Sequence, residues 1–455
     1  MVDTGASFLD VPALAVTLIV GATVLIIVYV SSLFRAAAPE ETKTGAPANA
    51  PPKKEKHEKQ HASGDHKGGK KKQQHAEKWN RDASKQFTHP WLLTSLKGHS
   101  GQILDMDFSS NGKFLATCSD DRSVLVWNTR DWTQKEHKNV RVNVALDHAT
   151  LVRWSPDSKA MVVRRAADNA LEVFRVARRA DGLVGAITRA ATFPKLHEEP
   201  VVGLGVACSG RFMLTCSEGT DLLVSDIKGQ PLARVDTYLM HTYNARVSPC
   251  GRFIAASGFA PDVKVWEVTF SKSGEFQSVN RAFELSGHSS GVFDVAFNSD
   301  TTRMATVSKD GTWMLFDTNV EFKKGEDPHL LMSQKYPLQT GSTAHLALSP
   351  TADVIVIGAG NQLHFYVTRT GELDRTIKNI FSGPITGVLF DSTGKLVLAS
   401  GERHVRIFHN VTGQREIAVT LRERLHPTLS SAQLERMRQQ IADAEGFLAS
   451  VGETS

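Results

Sequence analysis

Residues 98–128 read GHSGQILDMDFSSNGKFLATCSDDRSVLVWN. Gly98-His99 opens the stretch. Two short apolar runs follow, split by the turn Ser110-Asn111-Gly112. A second turn carries Asp120-Asp121, and a third run closes on Trp127-Asn128. Short runs of alternating apolar residues bounded by Gly, Asn, Asp and Ser read as β-strands. A sheet of three such strands is marginal alone in water and needs neighbours to cover its faces. A Trp buried in such a sheet also needs an acceptor for its indole N–H.

The stretch resembles the WD40 repeat, a unit of ~40–45 residues with a Gly-His opening and a Trp-Asp close. The closing pair here is Trp127-Asn128, a small departure. The resemblance implies a polar relay in which Trp127 meets the hydroxyl of Thr117 or Ser119, that hydroxyl meets His99, and His99 meets Asp121. A histidine so placed is structural, neither catalyst nor ligand.

Asp121 stands six residues before Trp127, and the same spacing recurs downstream. Unit two has the turn Ser155-Pro156-Asp157, then Asp168 before Phe174; unit three has Ser209-Gly210, then Gly219 before Ser225. Unit four has Ser248-Pro249-Cys250-Gly251, then Ala260 before Trp266. Unit five is the second clear match, with Gly287-His288, then Asp310 before Phe316-Asp317. Its relay positions are His288, Thr306, Ser308, Asp310 and Phe316. Unit six has Ser349-Pro350, then Gly360 before Tyr366; unit seven has Asp391 to Gly394, then Glu402 before Phe408. Closing positions lie 41 to 51 residues apart. Seven units at this spacing imply an all-β, seven-bladed WD40 β-propeller over residues 89–425, each sheet buried against the next. A complete relay can be written for unit one alone, so apolar packing should hold most blades. Either Trp91–Leu96 or Arg415–Thr420 could supply the outer strand of the last blade; the N-terminal stretch is favoured.

Outside the repeats the chain changes character. Residues 1–10 form a short N-terminus, and Val11–Phe34 carries no charge over 24 residues. That is enough for a transmembrane helix, and a cleaved signal would want a basic start and a shorter apolar run. No Lys or Arg precedes the span, whereas Arg35 and a Lys-rich stretch follow it, which places residues 1–10 in the lumen and the propeller in the cytosol. The sequon Asn410-Val411-Thr412 should then stay unmodified. Residues 35–88 lack large apolar residues until Trp79 and should form a disordered linker. Between Lys53 and Lys78 nine lysines face four acids, a surplus equal to the net charge of +5 for the whole chain. Lys53, Lys54, Lys56, Lys70, Lys71 and Lys72 could be a solvated spacer, meet anionic lipid beside the anchor, or contact RNA phosphate. Blade two adds Arg164, Arg165, Arg178 and Arg179. Arg164 falls on a strand expected to be inside, where it must be paired, with Asp168 as one partner; a basic rim for an acidic partner or RNA is the functional alternative. After Pro427, residues 426–455 should hold one short amphipathic helix: Ser430-x-x-Gln433 is a capping box, and Leu434, Met437, Ile441, Ala444 and Leu448 form one stripe. The stripe either docks on the propeller or fits a partner's groove.

No catalytic constellation emerges: there is no H-E-x-x-H, P-loop lysine or G-x-S-x-G elbow. Four scattered cysteines give neither a disulfide framework nor a zinc spacing, and Cys118 and Cys216 fall in apolar runs. No catalytic, cofactor-binding or metal-binding residue is assigned, and no cofactor or small-molecule substrate is expected. The layout of anchor, Lys-rich tether and seven-unit array resembles membrane-tethered members of the WD40 family in the endoplasmic reticulum. That resemblance implies a non-catalytic scaffold facing the cytosol. Its implied partners are proteins of the unfolded-protein response, including a stress kinase of the PERK type, and the translation machinery. The alternative is a protein that contacts RNA or the ribosome through the Lys-rich arm and the blade-two arginines.

Overall fold

The apolar runs of each unit become the strands of one four-stranded antiparallel sheet. In blade one these are Ile103–Phe108, Phe114–Ser119, Ser123–Asn128 and Asn139–Asn143, from inner to outer edge. Every residue of the two middle strands is buried, while the outer strand alternates between exposed and half-buried. A middle strand covered on both faces needs apolar residues throughout; an edge strand needs them on one face only. The computed structural model describes residues 87–339, 341–426 and 430–453, and among these there are seven such sheets. The expected N-terminus, the Val11–Phe34 span and the linker lysines lie outside the described residues. Among the described residues no helix is long and apolar enough to cross a membrane.

The ring is closed by chain from both ends. Leu92–Lys97 pairs antiparallel with His404–His409 as the outer strand of blade seven. Arg415–Thr420, the other candidate, lies in a helix, α1 (Val411–Glu423). The stretch reads as a strand because Val411, Thr412, Ile417, Val419 and Thr420 are β-branched. Tertiary contacts override that preference. Asn410 caps α1 by accepting from the Gly413 N–H at 3.0 Å, the Thr412 hydroxyl donates to Asp374 at 2.7 Å, and Arg415 reaches Asp374 at 2.7 Å. The propeller strands therefore end at His409 rather than running to residue 425, and two helices follow instead of one. The second, α2 (Ser431–Ser450), opens with the expected Ser430/Gln433 capping box. Of its stripe, Ile441, Ala444 and Leu448 are buried, with Leu448 packed among Trp91, Phe365, Phe408 and Val411.

The core lies between blades. Phe114, Ala116 and Val124 of blade one pack with Val152, Trp154, Met161 and Val163 of blade two. Across the closing seam, Leu398, Val405 and Ile407 of blade seven pack with Leu115, Leu125 and Trp127 of blade one. Each fully buried side chain of this kind contributes roughly 1.5–3 kcal/mol. Cys118 and Cys216 are buried in these layers, and burial pushes both thiols up, Cys216 to about 12.

Candidate functional site

His99 sits where the chain enters blade one, held between two strands and a turn. Its Nε2 is 2.8 Å from the Thr117 hydroxyl and its Nδ1 is 3.1 Å from Asp121. The Trp127 indole donates to the same hydroxyl at 3.0 Å. Thr117, not Ser119, is thus the middle member; Ser119 accepts instead from the Asp121 N–H at 3.2 Å. Asp121 also accepts from the Ser100 N–H at 2.8 Å and from Ser123 at 2.5 Å. Burial favours its neutral form, but these bonds and His99 outweigh it and hold the carboxyl well below the usual range. Burial lowers the His99 pKa.

Blade five repeats the pattern. His288 is 2.8 Å from Thr306 and 3.1 Å from Asp310. Phe316 has no N–H to donate, so the series ends at Thr306. Ser308 lies to one side and donates to the Gly291 carbonyl at 3.0 Å. Blade three holds a third relay that the spacing rule misses. His197 is 2.8 Å from Thr215 and 2.6 Å from Asp221. The His–Thr separation is 18 residues in all three blades. The acid, however, comes 24 residues after His197, against 22 after His99 and His288. Gly219 takes the turn position, and the carboxylate moves to the first residue of the next strand. The signal was legible as His and Thr at constant separation, without a Gly before the His.

The blade-two arginines do not form one cluster. Arg164 is buried, donating to Asn169 at 2.9 Å and Thr150 at 2.8 Å, but by strand register it matches Cys118; Val163 holds the place of Thr117, because the blade-two hairpin turn is longer. The contact to Asp168 is made by Arg165, at 3.3 Å, which also reaches Glu172 at 3.2 Å. Arg178 lies at the far end of the strand Leu171–Arg178, over the Phe114 ring at 5.6 Å, and exposed Arg179 follows it. A continuous basic rim built from the four is not what the chain forms: Arg164 is buried on neutral partners, Arg165 is half-buried against acids, and Arg178 and Arg179 are on the opposite face.

The turns that carry His99 and Asp121 lie on one face of the ring, called here the upper face. Loops on this face are bonded to one another from blade two to blade four. The Ala166 N–H donates to the His148 carbonyl at 3.0 Å, and the Asn169 amide donates to the Glu199 carbonyl at 2.6 Å. The Glu218 N–H donates to Pro200 at 2.7 Å, Thr242 to the Gly219 carbonyl at 2.7 Å, and the Phe259 N–H to His241 at 2.8 Å. The result is a continuous, fixed rim.

The channel through the ring is polar and self-satisfied. The Val152 and Trp154 N–H groups of blade two donate to Asp105 and Asp107 of blade one at 2.9 and 2.8 Å. Asp294 of blade five accepts from the Leu346 N–H of blade six at 2.9 Å, and from Asn244 (2.6 Å) and Arg246 (3.0 Å) of blade four. Inward acids thus tie neighbouring inner strands. The cavity they line is about 450 Å³. Burial pushes Asp107 up to about 6, while Arg153 pairs with Asp105. Among the described residues no group of three or more His, Cys, Asp or Glu is placed to hold a metal ion.

At the other face, the tail after α2 brings Glu453 to Trp91. Its carboxylate accepts from the Trp91 indole at 2.8 Å and from Arg375 at 2.6 Å, and it pairs with Arg415. The sequon residue Asn410 is buried, since its side chain caps α1 and donates to the Gly394 carbonyl at 2.8 Å.

A ring of seven such blades, with His–Thr–Asp relays in three of them, is a WD40 β-propeller, and the WD40 G-beta repeat profile matches residues 90–128 and 280–317. These are units one and five. More specifically, the chain is 45% identical over 391 residues to transducin beta-like protein 2 of Homo sapiens, covering 85% of this chain and 88% of that protein. It is 44% identical over 388 residues to the Mus musculus protein of the same name, with the same coverage. The chain therefore belongs to the transducin beta-like protein 2 family. A more distant likeness, 32% over 88 residues, is to nuclear distribution protein nudF 1 of Talaromyces marneffei, covering 19% of this chain and 18% of that one. No catalytic family is indicated.

Proposed function

We propose that this protein is a membrane-anchored scaffold that docks protein partners on its propeller. What carries the reading is the near full-length likeness to transducin beta-like protein 2, joined to a propeller whose relays and channel acids are engaged in holding the ring. The relay histidines and aspartates are consumed by one another, so the chemistry left for function is that of surfaces. The uncharged span Val11–Phe34 supports single-pass anchoring with the propeller in the cytosol, and membership of this family supports the endoplasmic reticulum as the membrane. Within that setting the partners are proteins of the stress response, a PERK-type kinase among them, and of the translation machinery. An RNA-contacting reading loses Arg164 to burial and Arg165 to ion pairs with Asp168 and Glu172, and would rest on the lysines of the linker.

Neutralising the lysines between Lys53 and Lys78 separates the two. Scaffold action predicts that the full chain still captures its protein partners, including the kinase, in membrane extracts. RNA contact predicts that capture disappears, and that it weakens steeply with salt in the unaltered chain. Loss of capture on neutralisation would overturn the scaffold reading.

A further inference from the structure

Blades two and four lack the relay histidine, and what stands in its place is apolar and in solvent. Tyr238 occupies that register position in blade four and is 73% exposed; in blade two Ala145 occupies it, with Leu146 beside it 94% exposed. Leu146 and Tyr238 both have left-handed backbone, with φ of 59° and 52°. Met240 is also left-handed, at 63°, and 74% exposed. Holding a non-glycine residue there costs about 1 kcal/mol or more and persists only where surrounding contacts impose it. Those contacts are present. Leu239 between the two is fully buried, and the Tyr238 N–H donates to Asp236 at 2.8 Å. Phe259, 53% exposed, joins them through the bond from its N–H to His241. The loop is thus a fixed support that presents apolar groups outward.

The charge around these groups is mainly negative; of the cations beside the blade-three loop, Arg234 pairs with Asp221 and donates to the Leu196 carbonyl. Glu198 and Glu199 lie on the blade-three loop between Leu146 and Tyr238, both exposed. Glu198 is neutralised only by Lys195, at 2.6 Å, and Glu199 has no cation within ion-pair distance among the described residues. Lys264 sits at the Tyr238 ring (5.5 Å) and lies 3.9 Å from Glu284. An acidic centre bracketed by exposed apolar groups on a rigid rim is complementary to a segment of the inverse pattern.

We infer that the upper face of blades two to four is a docking surface for a basic peptide segment bracketed by apolar residues. The surface rests on the scaffold reading and gives it a location and a partner chemistry. Lysines or arginines of the partner meet Glu198 and Glu199, and its apolar ends cover Leu146 on one side and Tyr238 and Met240 on the other. Tyr and Met anchors that already stand in place lose little freedom on binding.

The test uses the full chain in detergent and a short fluorescent peptide with central lysines and leucine or phenylalanine at each end. Binding is read by anisotropy. Tyr238→Ser with Met240→Ser should weaken it by at least about tenfold. Glu198→Lys with Glu199→Lys should weaken it as much and reverse its salt dependence. Arg178→Glu, on the lower face, should leave it unchanged. All substituted side chains are exposed, so melting curves should match; Leu146→Ser is a second variant should the paired one melt early. Equal binding of an all-lysine peptide without apolar ends, or transfer of the effect to anionic vesicles in place of peptide, would overturn the surface. If cellular partners persist on the Tyr238/Met240 variant, this surface fails and the scaffold reading stands. If the unaltered chain captures no partner while the peptide binds, the scaffold reading fails and the surface stands.

Discussion

Blade one and blade six have the same strand order and opposite interiors. The strand positions that hold Thr117 and Trp127 in blade one hold Ile357 and Tyr366 in blade six, and the turn that carries Asp121 in blade one is Gly360-Asn361 in blade six, without an acid. Ile357 is fully buried and packs with Trp313, Leu346 and Tyr366, with no polar partner to satisfy. The sheets are otherwise alike in register. A polar relay is therefore not what makes a blade. Apolar burial on both faces does that, and the relay fixes the two upper turns relative to the sheet. It also behaves as a unit, because each buried polar member needs the next. In blades two and four the turn without a histidine puts Leu146 and Tyr238 into solvent, whereas the turn entering blade seven, which also lacks one, buries Ile380 and Phe381.

Trp127→Ala should give the largest loss, about 3–5 kcal/mol in denaturant unfolding, since it empties a fully buried site at the seam with blade seven. The equivalent Tyr366→Ala should cost less, because no hydroxyl is orphaned with it. His99→Leu comes next, at about 2–3 kcal/mol, because it strands Thr117 and Asp121 without their shared partner. Converting the blade-one relay to an apolar set (His99→Leu, Thr117→Val, Asp121→Gly, Trp127→Tyr) should recover at least about 1 kcal/mol over His99→Leu alone. Losses that simply add would break the claim that the relay is a unit.

Acid should weaken the relays as well. The His99, His197 and His288 pKa values lie below the ordinary 6.5, lowered by burial, so the unfolded chain binds more protons as the pH falls. Stability is complete above about 6.5 and declines as pH drops toward the folded-state values. The carboxylates Asp121 and Asp310 have depressed values, so their contribution is present above the ordinary 3.8 and is lost only below it. Thermal scans at pH 5.5 and 7.5 should show a lower midpoint at 5.5, and the converted blade one should reduce the difference.

The smallest effect concerns the contact between the chain's ends. Glu453→Gln should cost about 1–2 kcal/mol, weakening bonds from Trp91, Arg375 and Arg415. Trp91 emission should shift to the red as its indole loses the carboxylate and gains water. An unchanged spectrum would mean that Leu448 and its neighbours hold the tail alone.

The repeat, the seven units and the N-terminal closing strand were legible because turn residues and closing aromatics recur at countable separations. Three things were not. The His197 relay was hidden because its acid shifted by two residues. Helix α1 was hidden because β-branched residues carry a strand preference that Asp374 and the Asn410 cap override. The division of the blade-two arginines was hidden because sequence proximity says nothing about which end of a hairpin a residue occupies. Asn410 is buried and caps α1, so a glycan on it is incompatible with the folded propeller.

The measurement that bears most directly on the scaffold reading is proximity labelling from the propeller, in cells carrying the full chain or the chain without residues 1–35. The scaffold account predicts a set of endoplasmic reticulum and translation proteins, with the PERK-type kinase among them, that is labelled by the full chain and depleted when residues 1–35 are removed. An identical set from both chains, or one without stress-response and translation proteins, would contradict it.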